Sequence, residues 1–402
     1  MNTQKKLFIE DLDTSGKRVI VRVDFNVPLK DGAVENDKRL RESLPTIKYL
    51  RSKGAKVILM SHLGRPDGQR VADMSLAPVA KTLGELLGAP VRFATDCVGE
   101  VAKKAVAELG PGDVLLLENL RFHPEEELND PAFAKQLAEL ADVCVNDAFG
   151  TAHRAHASTE GITKFVRQSA SGYLMKKELD YLGQALVDPA RPFVAIIGGS
   201  KISTKIDVIE NLLPRVDHLL LGGGMTYTFL KAQGLEIGKS ILEKDKIDFA
   251  RSLLAKAGGK ILLGDDFVVT DKLDFKGRTV GATKVVAKNE IPADWEGVDI
   301  GPRTIQQFEA VILKAKTILW NGPVGVFEID ATAKGTIAMA EALAKATANG
   351  ATTIIGGGDS ASAVKKAGVA SKVSHVSTGG GASLEYLEGK TLPGVAALTD
   401  KK

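Results

Sequence analysis

The sequence predicts an α/β protein with two doubly wound domains, each a parallel sheet flanked by helices, joined by a helix and facing each other across a cleft. Its 402 residues exceed what one hydrophobic core comfortably serves, which favours two domains of ordinary size. Short apolar runs alternate with helical patterns along the chain, as in βαβ units. Many of these runs end in glycine or polar residues, which is typical of ligand-binding loops at the carboxyl ends of parallel strands.

The composition is that of a globular protein without disordered or membrane-spanning segments. Hydrophobic residues make up 44% of the chain and charged residues 26%, and no apolar run is long enough to cross a bilayer. Residues 1–6 lack the apolar core of a signal peptide, so a cytoplasmic protein is expected. The net charge of +3 argues against a dedicated nucleic-acid or membrane partner.

The two cysteines, Cys97 and Cys144, lie far apart in the sequence and form no CxxC pair. Neither a disulfide framework nor a zinc site is therefore indicated. Both cysteines are interpreted as buried apolar residues.

The first part of the chain alternates predicted strands with predicted helices. Helical periodicity appears in residues 76–87 and 133–140. Because this alternation implies a parallel sheet, the residues just after each strand are the ones expected to meet a ligand. The predicted strands are 19–23, 57–60, 91–93, 114–117 and 143–145.

Polar and basic residues follow four of these strands. Eleven of the sixteen arginines lie before residue 170, although the remainder of the chain is longer. Arginine binds carboxylate and phosphate groups bidentately, so a cationic bowl for a phosphorylated or carboxylated metabolite is expected here. Any one of these arginines alone is better explained as a solvated surface residue. The bowl comprises Asp24, Asn26, His62, Arg65, Arg121 and Arg154, together with Arg39 at the head of a helix-like segment.

The histidines of this part of the chain are expected to contact a ligand rather than to transfer protons. A histidine among arginines has its cationic form disfavoured, so His62 is interpreted as a hydrogen-bond donor. His153 and His156 have a helical i,i+3 spacing that suits a metal, but no third ligand is apparent. A metal is not expected there, and the intervening Arg154 is the more useful residue.

An amphipathic helix is predicted over residues 173–187, ended by Asp188 and Pro189. We place the domain boundary at this helix. The first domain is expected to cover residues 1–172 and the second 188–389.

Glycine clusters end four predicted strands in the second part of the chain. In residues 353–362 an apolar run leads into Gly356, Gly357 and Gly358, and then into a helix predicted from Ala361. The free N–H groups of a helix N-terminus beneath a glycine turn suit a phosphate, although such turns are common whatever they bind. A sheet edge cleared of side chains favours a flat, phosphate-bearing ligand such as a nucleotide. The other clusters are 198–199, 222–224 and 379–381.

Charged residues near these clusters complete the candidate nucleotide site. Lys201 and Lys205 are one helical turn apart and are expected to face the same phosphates, with salt-bridged surface lysines as the alternative. Glu328 is suited to accept hydrogen bonds from ribose hydroxyls, or else to cap the next helix. Asp359 is suited to hold a divalent cation, with helix capping by Asp359 or Ser360 as the simpler reading.

The common phosphoryl-transfer motifs are absent. Residues 234–240 look like a P-loop, but their glycines are four apart where the motif needs five, and no apolar strand precedes them. The dinucleotide GxGxxG and the protein-kinase HRD and DFG elements do not occur either.

Several long motifs together resemble the phosphoglycerate kinase family, in that family's order and over nearly the whole chain. Accidental agreement over motifs of this length is very rare. The motifs are VDFNVP at 23–28, SHLGRP at 61–66, ENLRF at 118–122, HRAH at 153–156, GGSK at 198–201, WNGPVGVFE at 320–328 and GGGDS at 356–360.

The resemblance implies a glycolytic kinase, a cytoplasmic monomer that transfers a phosphoryl group between 1,3-bisphosphoglycerate and ADP with Mg²⁺. The first domain, joined by a C-terminal segment from about residue 390, is expected to bind 3-phosphoglycerate or 1,3-bisphosphoglycerate. The expected substrate residues are Asp24, Asn26, Arg39, His62, Arg65, Arg121 and Arg154. The expected nucleotide residues are Lys201, Lys205, Gly222, Asn321, Glu328, Gly357, Gly358, Asp359 and Ser360, with Asp359 on the metal. Ser360 stands where many members have threonine, a change that keeps the hydroxyl.

The chemistry of such a reaction requires no general base. The attacking atom is a phosphate oxygen of ADP or, in reverse, a carboxylate, which is ionised at neutral pH because carboxyl pKa values are about 4. Catalysis must then come from alignment and from neutralising the moving phosphoryl group, for which Arg39 and Lys201 are expected. With the two substrates on different domains, hinge closure is expected as well.

Two other classes of protein fit parts of the sequence. A nicotinamide-dependent dehydrogenase would suit the fold and the glycine-rich turns, but its fingerprint is missing. A two-domain binding protein that closes on an anionic metabolite would suit the bowl. A protein that only binds a metabolite would not need the two lysines, Lys201 and Lys205, or the candidate metal ligand Asp359.

Overall fold

The computed structural model describes residues 5–401. The chain forms two compact units, of which the first takes in the chain up to Asp180 and again from Thr391, and the second is Tyr181–Lys390. Helix α6 (Tyr173–Val187) has the bounds that its periodicity predicts, and the division between the units falls inside it.

The first unit alternates strands with helices over most of its length. Its strands are β1 (Arg18–Arg22), β2 (Leu29–Lys30), β3 (Ala33–Val34), β4 (Lys56–Met60), β5 (Val91–Ala94), β6 (Val114–Leu117), β7 (Val143–Asn146) and β8 (Ser169–Ser171). Its helices are α1 (Lys38–Ser52), α2 (Ala77–Leu87), α3 (Gly99–Ala107), α4 (Pro124–Glu127), α5 (Pro131–Ala138) and, near the end of the chain, α14 (Pro393–Ala396).

The main sheet of the first unit is parallel, as predicted, with the strand order β5-β6-β4-β1-β7-β8. Alternate residues of β1 enter different cores: Val19 and Val21 pack in one apolar cluster and Ile20 in another. Since helices cover both faces, the strands are apolar at nearly every position.

Local signals explain where helices begin and end. Asp130 caps α5 by accepting a hydrogen bond from the Phe133 N–H at 2.8 Å, and Pro131 occupies the first helical position. Gly88 ends α2 in the left-handed conformation, with φ of 62°.

The C-terminal segment belongs to the first unit. Lys6 and Leu7 hydrogen-bond to it, the Leu7 N–H donating to the Thr399 carbonyl at 2.8 Å. The Thr399 N–H in turn donates to the Ser169 carbonyl of β8 at 3.0 Å. The last part of the chain therefore closes the edge of the first sheet.

The second unit contains one parallel sheet and two smaller antiparallel sheets. Its strands are β9 (Phe193–Ile197), β10 (His218–Leu221), β11 (Ile261–Leu262), β12 (Asp266–Thr270), β13 (Leu273–Asp274), β14 (Thr279–Val280), β15 (Thr283–Ala287), β16 (Glu296–Ile300), β17 (Thr317–Asn321), β18 (Thr352–Gly356) and β19 (His375–Val376). Its helices are α7 (Ile206–Leu212), α8 (Thr226–Ala232), α9 (Ile247–Lys256), α10 (Pro302–Ile312), α11 (Lys334–Ala348), α12 (Gly358–Lys366) and α13 (Gly381–Leu387).

The parallel sheet of the second unit has the order β11-β10-β9-β17-β18-β19. The three-stranded antiparallel sheet, β15-β12-β16, was not predicted. Phe267 and Val269 of β12 reach the main apolar cluster, whereas the first three residues of β15 are exposed. A peripheral strand of this kind carries too little apolar periodicity to stand out in the sequence.

Candidate active site

The carboxyl edge of the first sheet gathers the predicted bowl residues. The strands β6, β4, β1 and β7 are consecutive neighbours and all parallel, so the loops that follow them lie side by side. The bowl residues follow these four strands, except for Arg39, which is the second residue of α1.

Arg39 is held in place by the loop after β1. Its Nη1 donates to Asp24 Oδ1 at 2.8 Å and to the Asn26 carbonyl at 3.1 Å. The Asn26 side chain accepts a hydrogen bond from the Gly64 N–H at 2.9 Å and so ties this loop to the one after β4. The Arg39 side chain stays 37% exposed, so it is accessible to an anion as well as held by the loop.

The other three arginines differ in how firmly they are held. Arg121 is buried, donates from Nη1 to the Gly64 carbonyl at 3.0 Å, and has Glu127 3.4 Å from its Nε. Arg65 and Arg154 are exposed, and no side-chain hydrogen bond or ion pair restrains either one within residues 5–401. Burial is the main reason that the pKa of Arg121 is lowered, and the Arg154 and Arg65 charges add to it. Arg65 and Arg154 thus both lie within electrostatic range of Arg121.

His62 is buried and neutral. Its Nδ1 lies 3.1 Å from Arg22 Nη2, and because a guanidinium can only donate, this nitrogen accepts and the ring proton sits on Nε2. Burial first, then the charges of Arg22, Arg121 and Arg39, hold the pKa of His62 well below its usual value. The geometry therefore supports the hydrogen-bond donor expected from the sequence.

The predicted helical spacing of His153 and His156 does not occur. The chain there forms turns after a short 3-10 helix, Phe149–Thr151, so the i,i+3 argument for a metal has no structural basis. Burial, followed by the Arg22, Arg121 and Arg154 charges, lowers the pKa of His156 to about 4.

Arg22, Ser158 and Glu126 are buried beneath the bowl, behind His62, and were missed in the sequence. Arg22 Nε donates to Ser158 Oγ at 2.9 Å, and Ser158 Oγ donates to Glu126 Oε1 at 2.5 Å. A sequence signal did exist for Arg22: it is a charged residue at the end of an otherwise apolar strand. Ser158 and Glu126 reach the site from a turn and a short helix and carry no comparable signal.

The carboxyl edge of the second sheet gathers the predicted nucleotide residues. Lys205 Nζ donates to Asn321 Oδ1 at 2.5 Å, and Asn321 Nδ2 donates to the Gly356 carbonyl at 3.0 Å. Burial lowers the pKa of Lys205, and the charges of Asp359 and Glu388 oppose that shift. Lys205, Asn321 and Asp359 therefore share one site.

Lys201 and Lys205 do not lie on one helix. Lys201 is extended and precedes a 3-10 helix, Ile202–Thr204, while α7 begins only after Lys205. Lys201 is exposed, and none of the residues 5–401 forms a side-chain hydrogen bond or ion pair with it. Glu328 is half-buried and caps neither the following 3-10 helix nor α11, whose N-caps are Ile329 and Ala333.

The helix after β18 begins earlier than predicted. Helix α12 starts at Gly358, and its N-cap is Gly357 with φ of 91°, so Asp359 and Ser360 lie inside the first turn. Ser360 is buried, and its Oγ accepts a hydrogen bond from the Gly322 N–H at 2.6 Å. The hydroxyl thus supports the turn after β17.

Glycine occurs at this edge for two different structural reasons. A Cβ at Gly222 would lie 2.5 Å from Val324 Cβ, and one at Gly198 would lie 2.0 Å from the Pro323 carbonyl oxygen. These glycines are required by the packing of loop against loop. A Cβ at Gly358 would meet nothing within 4 Å, which is the open edge that was expected for a ligand.

Asp359 fits the role of a magnesium ligand. Its carboxylate is exposed at the N-terminal turn of α12, and no ion pair among the described residues neutralises it. Mg²⁺ in kinases is commonly held by one or two carboxylates and by the substrate phosphates, so a single protein carboxylate beside a glycine-rich turn matches that chemistry.

One mixed group of metal-ligand types occurs in the described part of the chain outside both edges: Asp96, Cys97 and His123. Asp96 Oδ1 lies 2.7 Å from His123 Nε2, and Arg70 lies 3.3 Å from the other oxygen, so the carboxylate is already paired. Cys97 and Cys144 are both buried. Within residues 5–401, no helix combines the length and apolar character that crossing a bilayer requires.

An arginine-lined strand edge on one α/β unit, and a glycine-lined edge with a lysine and an exposed carboxylate on the other, define a two-domain α/β kinase that handles two anions. The family model for phosphoglycerate kinase matches residues 9–390. Relatives named phosphoglycerate kinase include those of Chloroherpeton thalassium, 59% identical over 98% of this chain and all of that protein, and Microcystis aeruginosa, 56% identical over 98% of both.

Solved structures give the same result. The phosphoglycerate kinase of Coxiella burnetii has a TM-score of 0.89 at 41% identity, and that of Pyrococcus horikoshii has 0.80 at 33%, each over 98% of both chains. The chain belongs to the phosphoglycerate kinase family. It is an enzyme, a phosphotransferase of glycolysis with a carboxyl group as acceptor, and the dehydrogenase and binding-protein alternatives are set aside.

Proposed function

We propose that the chain catalyses the reversible, Mg²⁺-dependent transfer of the acyl phosphate of 1,3-bisphosphoglycerate to ADP, giving 3-phosphoglycerate and ATP. The observation that carries this proposal is the presence, in one chain of this family, of a cationic strand edge on the first unit and a glycine-lined strand edge on the second. Each edge suits one of the two anionic substrates.

The first unit binds the glycerate compound. The exposed Arg65 and Arg154 are free to engage its phosphate, and the half-exposed Arg39 reaches its carboxyl end. The buried His62 and Arg121 donate hydrogen bonds to the same substrate. Asp24 and Asn26 set the position of Arg39 and of the loop after β4, and Asp24 adds an acceptor for a substrate hydroxyl.

The second unit binds the nucleotide. The N–H groups of Gly357 and Gly358 and the N-terminus of α12 bind phosphate oxygens. Lys205, held by Asn321, and the unrestrained Lys201 neutralise the phosphates. Gly222 allows its loop to pack closely against Val324, and the Ser360 hydroxyl supports the turn at Gly322. Glu328 accepts hydrogen bonds from the ribose.

The reaction is a direct in-line transfer without a general base, since the attacking oxygen is already ionised. Arg39 and Lys201 neutralise the phosphoryl group as it moves and align donor with acceptor. Mg²⁺, held by Asp359, would neutralise charge on the nucleotide phosphates. Removal of Mg²⁺ by chelation is therefore expected to abolish turnover.

Because the two substrates bind to separate units, we propose that the units close on them by hinge bending. Closure would also exclude water and prevent hydrolysis of the acyl phosphate. We further propose that the enzyme works as a monomer in the cytoplasm, where glycolytic intermediates are made. Light scattering and cell fractionation test these two statements.

A coupled assay of 3-phosphoglycerate with MgATP tests the proposed reaction. ADP formation should require both substrates and should stop when EDTA removes the metal. Monodisperse, folded protein that turns over neither these substrates nor 1,3-bisphosphoglycerate with ADP would overturn the proposal.

A further inference from the structure

A chain of hydrogen bonds lies beneath the bowl and ends at His62. It runs from Glu126 Oε1 to Ser158 Oγ (2.5 Å), from Ser158 Oγ to Arg22 Nε (2.9 Å), and from Arg22 Nη2 to His62 Nδ1 (3.1 Å). All four residues are buried, and Arg22 and Glu126 are 0% exposed. We refer to these residues as the His62 relay.

The direction of every bond in the relay is determined by the groups that form it. Arg22 has donors only, so Ser158 Oγ and His62 Nδ1 both accept from it. The Ser158 hydroxyl hydrogen is then left for Glu126 Oε1. Glu126 Oε2 accepts a further hydrogen bond from the Ser158 N–H at 2.9 Å. Burial raises the pKa of Glu126, while the Arg22 charge and the two hydrogen bonds from Ser158 lower it and so favour the ionised carboxylate.

The relay also balances charge in a place where single charges are unfavourable. A buried guanidinium is strongly destabilising unless it is paired and its donors are satisfied. The negative charge of Glu126 and the carbonyl of Val23, which accepts from Arg22 Nη1 at 2.5 Å, meet these needs. Arg22 is thus fixed without any contribution from a substrate.

We infer that Arg22, braced by Ser158 and Glu126, is a positioning residue that fixes His62 as a neutral imidazole with its proton on Nε2. A ring with a free Nδ1 would be able to take the other tautomer, which presents an acceptor where an anion needs a donor. The significance of this tautomer rests on the proposed role of His62 in binding the glycerate substrate. The tautomer itself does not depend on that role.

Two variants separate the hydrogen bonds of Arg22 from its charge. Arg22→Lys keeps a positive charge but replaces the planar fork by a single ammonium group, which cannot reach Ser158 and His62 in the same geometry. The double variant Arg22→Met with Glu126→Gln removes both buried charges together, and so avoids leaving one of them unpaired. Arg18→Met is the matched control, because Arg18 lies on the same strand but pairs with Asp142 at the opposite end.

The tautomer can be read directly by ¹⁵N NMR on histidine-labelled protein, since the chain has only six histidines and His62→Gln identifies the signal. In the wild type and in Arg18→Met, His62 should show a single Nε2–H tautomer. In both Arg22 variants it should show mixed tautomers. Its titration should move to higher pH in the double variant, where Arg39, Arg121 and His156 remain as the neighbouring groups.

Steady-state kinetics supply the second readout. The KM for 3-phosphoglycerate should rise about tenfold in both Arg22 variants, while the KM for ATP stays within about twofold. A His62 signal that keeps a single Nε2–H tautomer in both folded variants would overturn the relay. Mixed tautomers with an unchanged KM for 3-phosphoglycerate would uphold the relay and instead overturn the proposed contact of His62 with substrate.

Discussion

Arg39 and Lys201, the two residues proposed to act on the moving phosphoryl group, are held very differently. Arg39 is fixed by Asp24 and by the backbone of Asn26 before any substrate binds. Lys201 is exposed and unrestrained within the described residues. The electrostatic stabilisation from Arg39 is therefore preorganised, whereas Lys201 must give up side-chain freedom when the nucleotide arrives.

Replacement of Arg39 tests its catalytic role. Arg39→Ala should lower kcat by about 10² to 10³ and weaken ATP binding far less, because the lost charge acts on the transferring group rather than on the nucleotide. Steady-state kinetics with both substrates varied give the two effects separately. Arg41→Ala, at an exposed position of the same helix, is the control. Nearly normal turnover of the Arg39 variant would remove it from the catalytic residues.

Replacement of Asp359 tests the metal site and the assignment of substrates to units. Asp359→Ala should weaken binding of the Mg²⁺–nucleotide complex by at least about tenfold and leave 3-phosphoglycerate affinity unchanged, because only the nucleotide brings the metal. Calorimetric titration of each ligand measures this. Asp245→Ala, another exposed carboxylate of the second unit, should change neither affinity. The reverse pattern would falsify the assignment of the two units.

Asp299 makes stability depend on pH. Its carboxylate accepts from the Gly335 and Ile300 N–H groups, yet burial raises its pKa to about 7 from an ordinary 3.8. The folded state keeps this proton up to about pH 7 while the unfolded chain loses it near pH 4, so the free energy of unfolding falls as pH rises between these values.

The comparison of wild type with Asp299→Asn isolates this group. From pH 5 to 7 the wild type should lose stability relative to the variant by up to about 1.4 kcal/mol per pH unit, and the difference should level off above pH 8. Urea unfolding at each pH measures it. A difference that does not change with pH would mean that Asp299 keeps an ordinary pKa.

The loops that follow the strands of the second sheet combine two kinds of glycine. At Gly222 the neighbouring Val324 leaves no room for a side chain, while the space at Gly358 is open. The same residue type thus maintains packing in one loop and leaves open space in the other, where we propose that the nucleotide binds.

A pair of alanine substitutions separates these functions. Gly222→Ala should destabilise the protein by about 1 to 3 kcal/mol, since its Cβ would lie 2.5 Å from Val324 Cβ. Gly358→Ala should leave stability within about 0.5 kcal/mol but weaken nucleotide binding, because the methyl group would occupy space at the phosphate edge. Urea unfolding and MgATP titration distinguish the two. Equal destabilisation by both substitutions would contradict this division.

The sequence predicted the elements that carry strong periodicity and missed those that depend on distant contacts. Helix α6 and strand β6 have their predicted bounds, because uninterrupted apolar patterns mark them. The placement of Lys205 against Asn321 could not be foreseen, since 116 residues separate the two and a 3-10 turn replaces the expected helix. Glu126 and Ser158 likewise came to lie beneath the bowl only through tertiary packing.

At the scale of the whole molecule, the proposed closure predicts a change of size. With 3-phosphoglycerate and a non-hydrolysable MgATP analogue together, small-angle scattering should show a smaller radius of gyration than without ligands. Either ligand alone is the control and should produce a smaller decrease. An unchanged radius of gyration in the ternary complex would count against hinge bending.

The return of the C-terminal segment to the first sheet has a consequence for biosynthesis. The second unit is one uninterrupted stretch, Tyr181–Lys390, so it can complete its sheet as soon as it leaves the ribosome. The first unit is synthesised earlier but lacks the backbone partners of Leu7 and Ser169 until Thr399 emerges. The unit that is made first is therefore expected to be the last to finish folding.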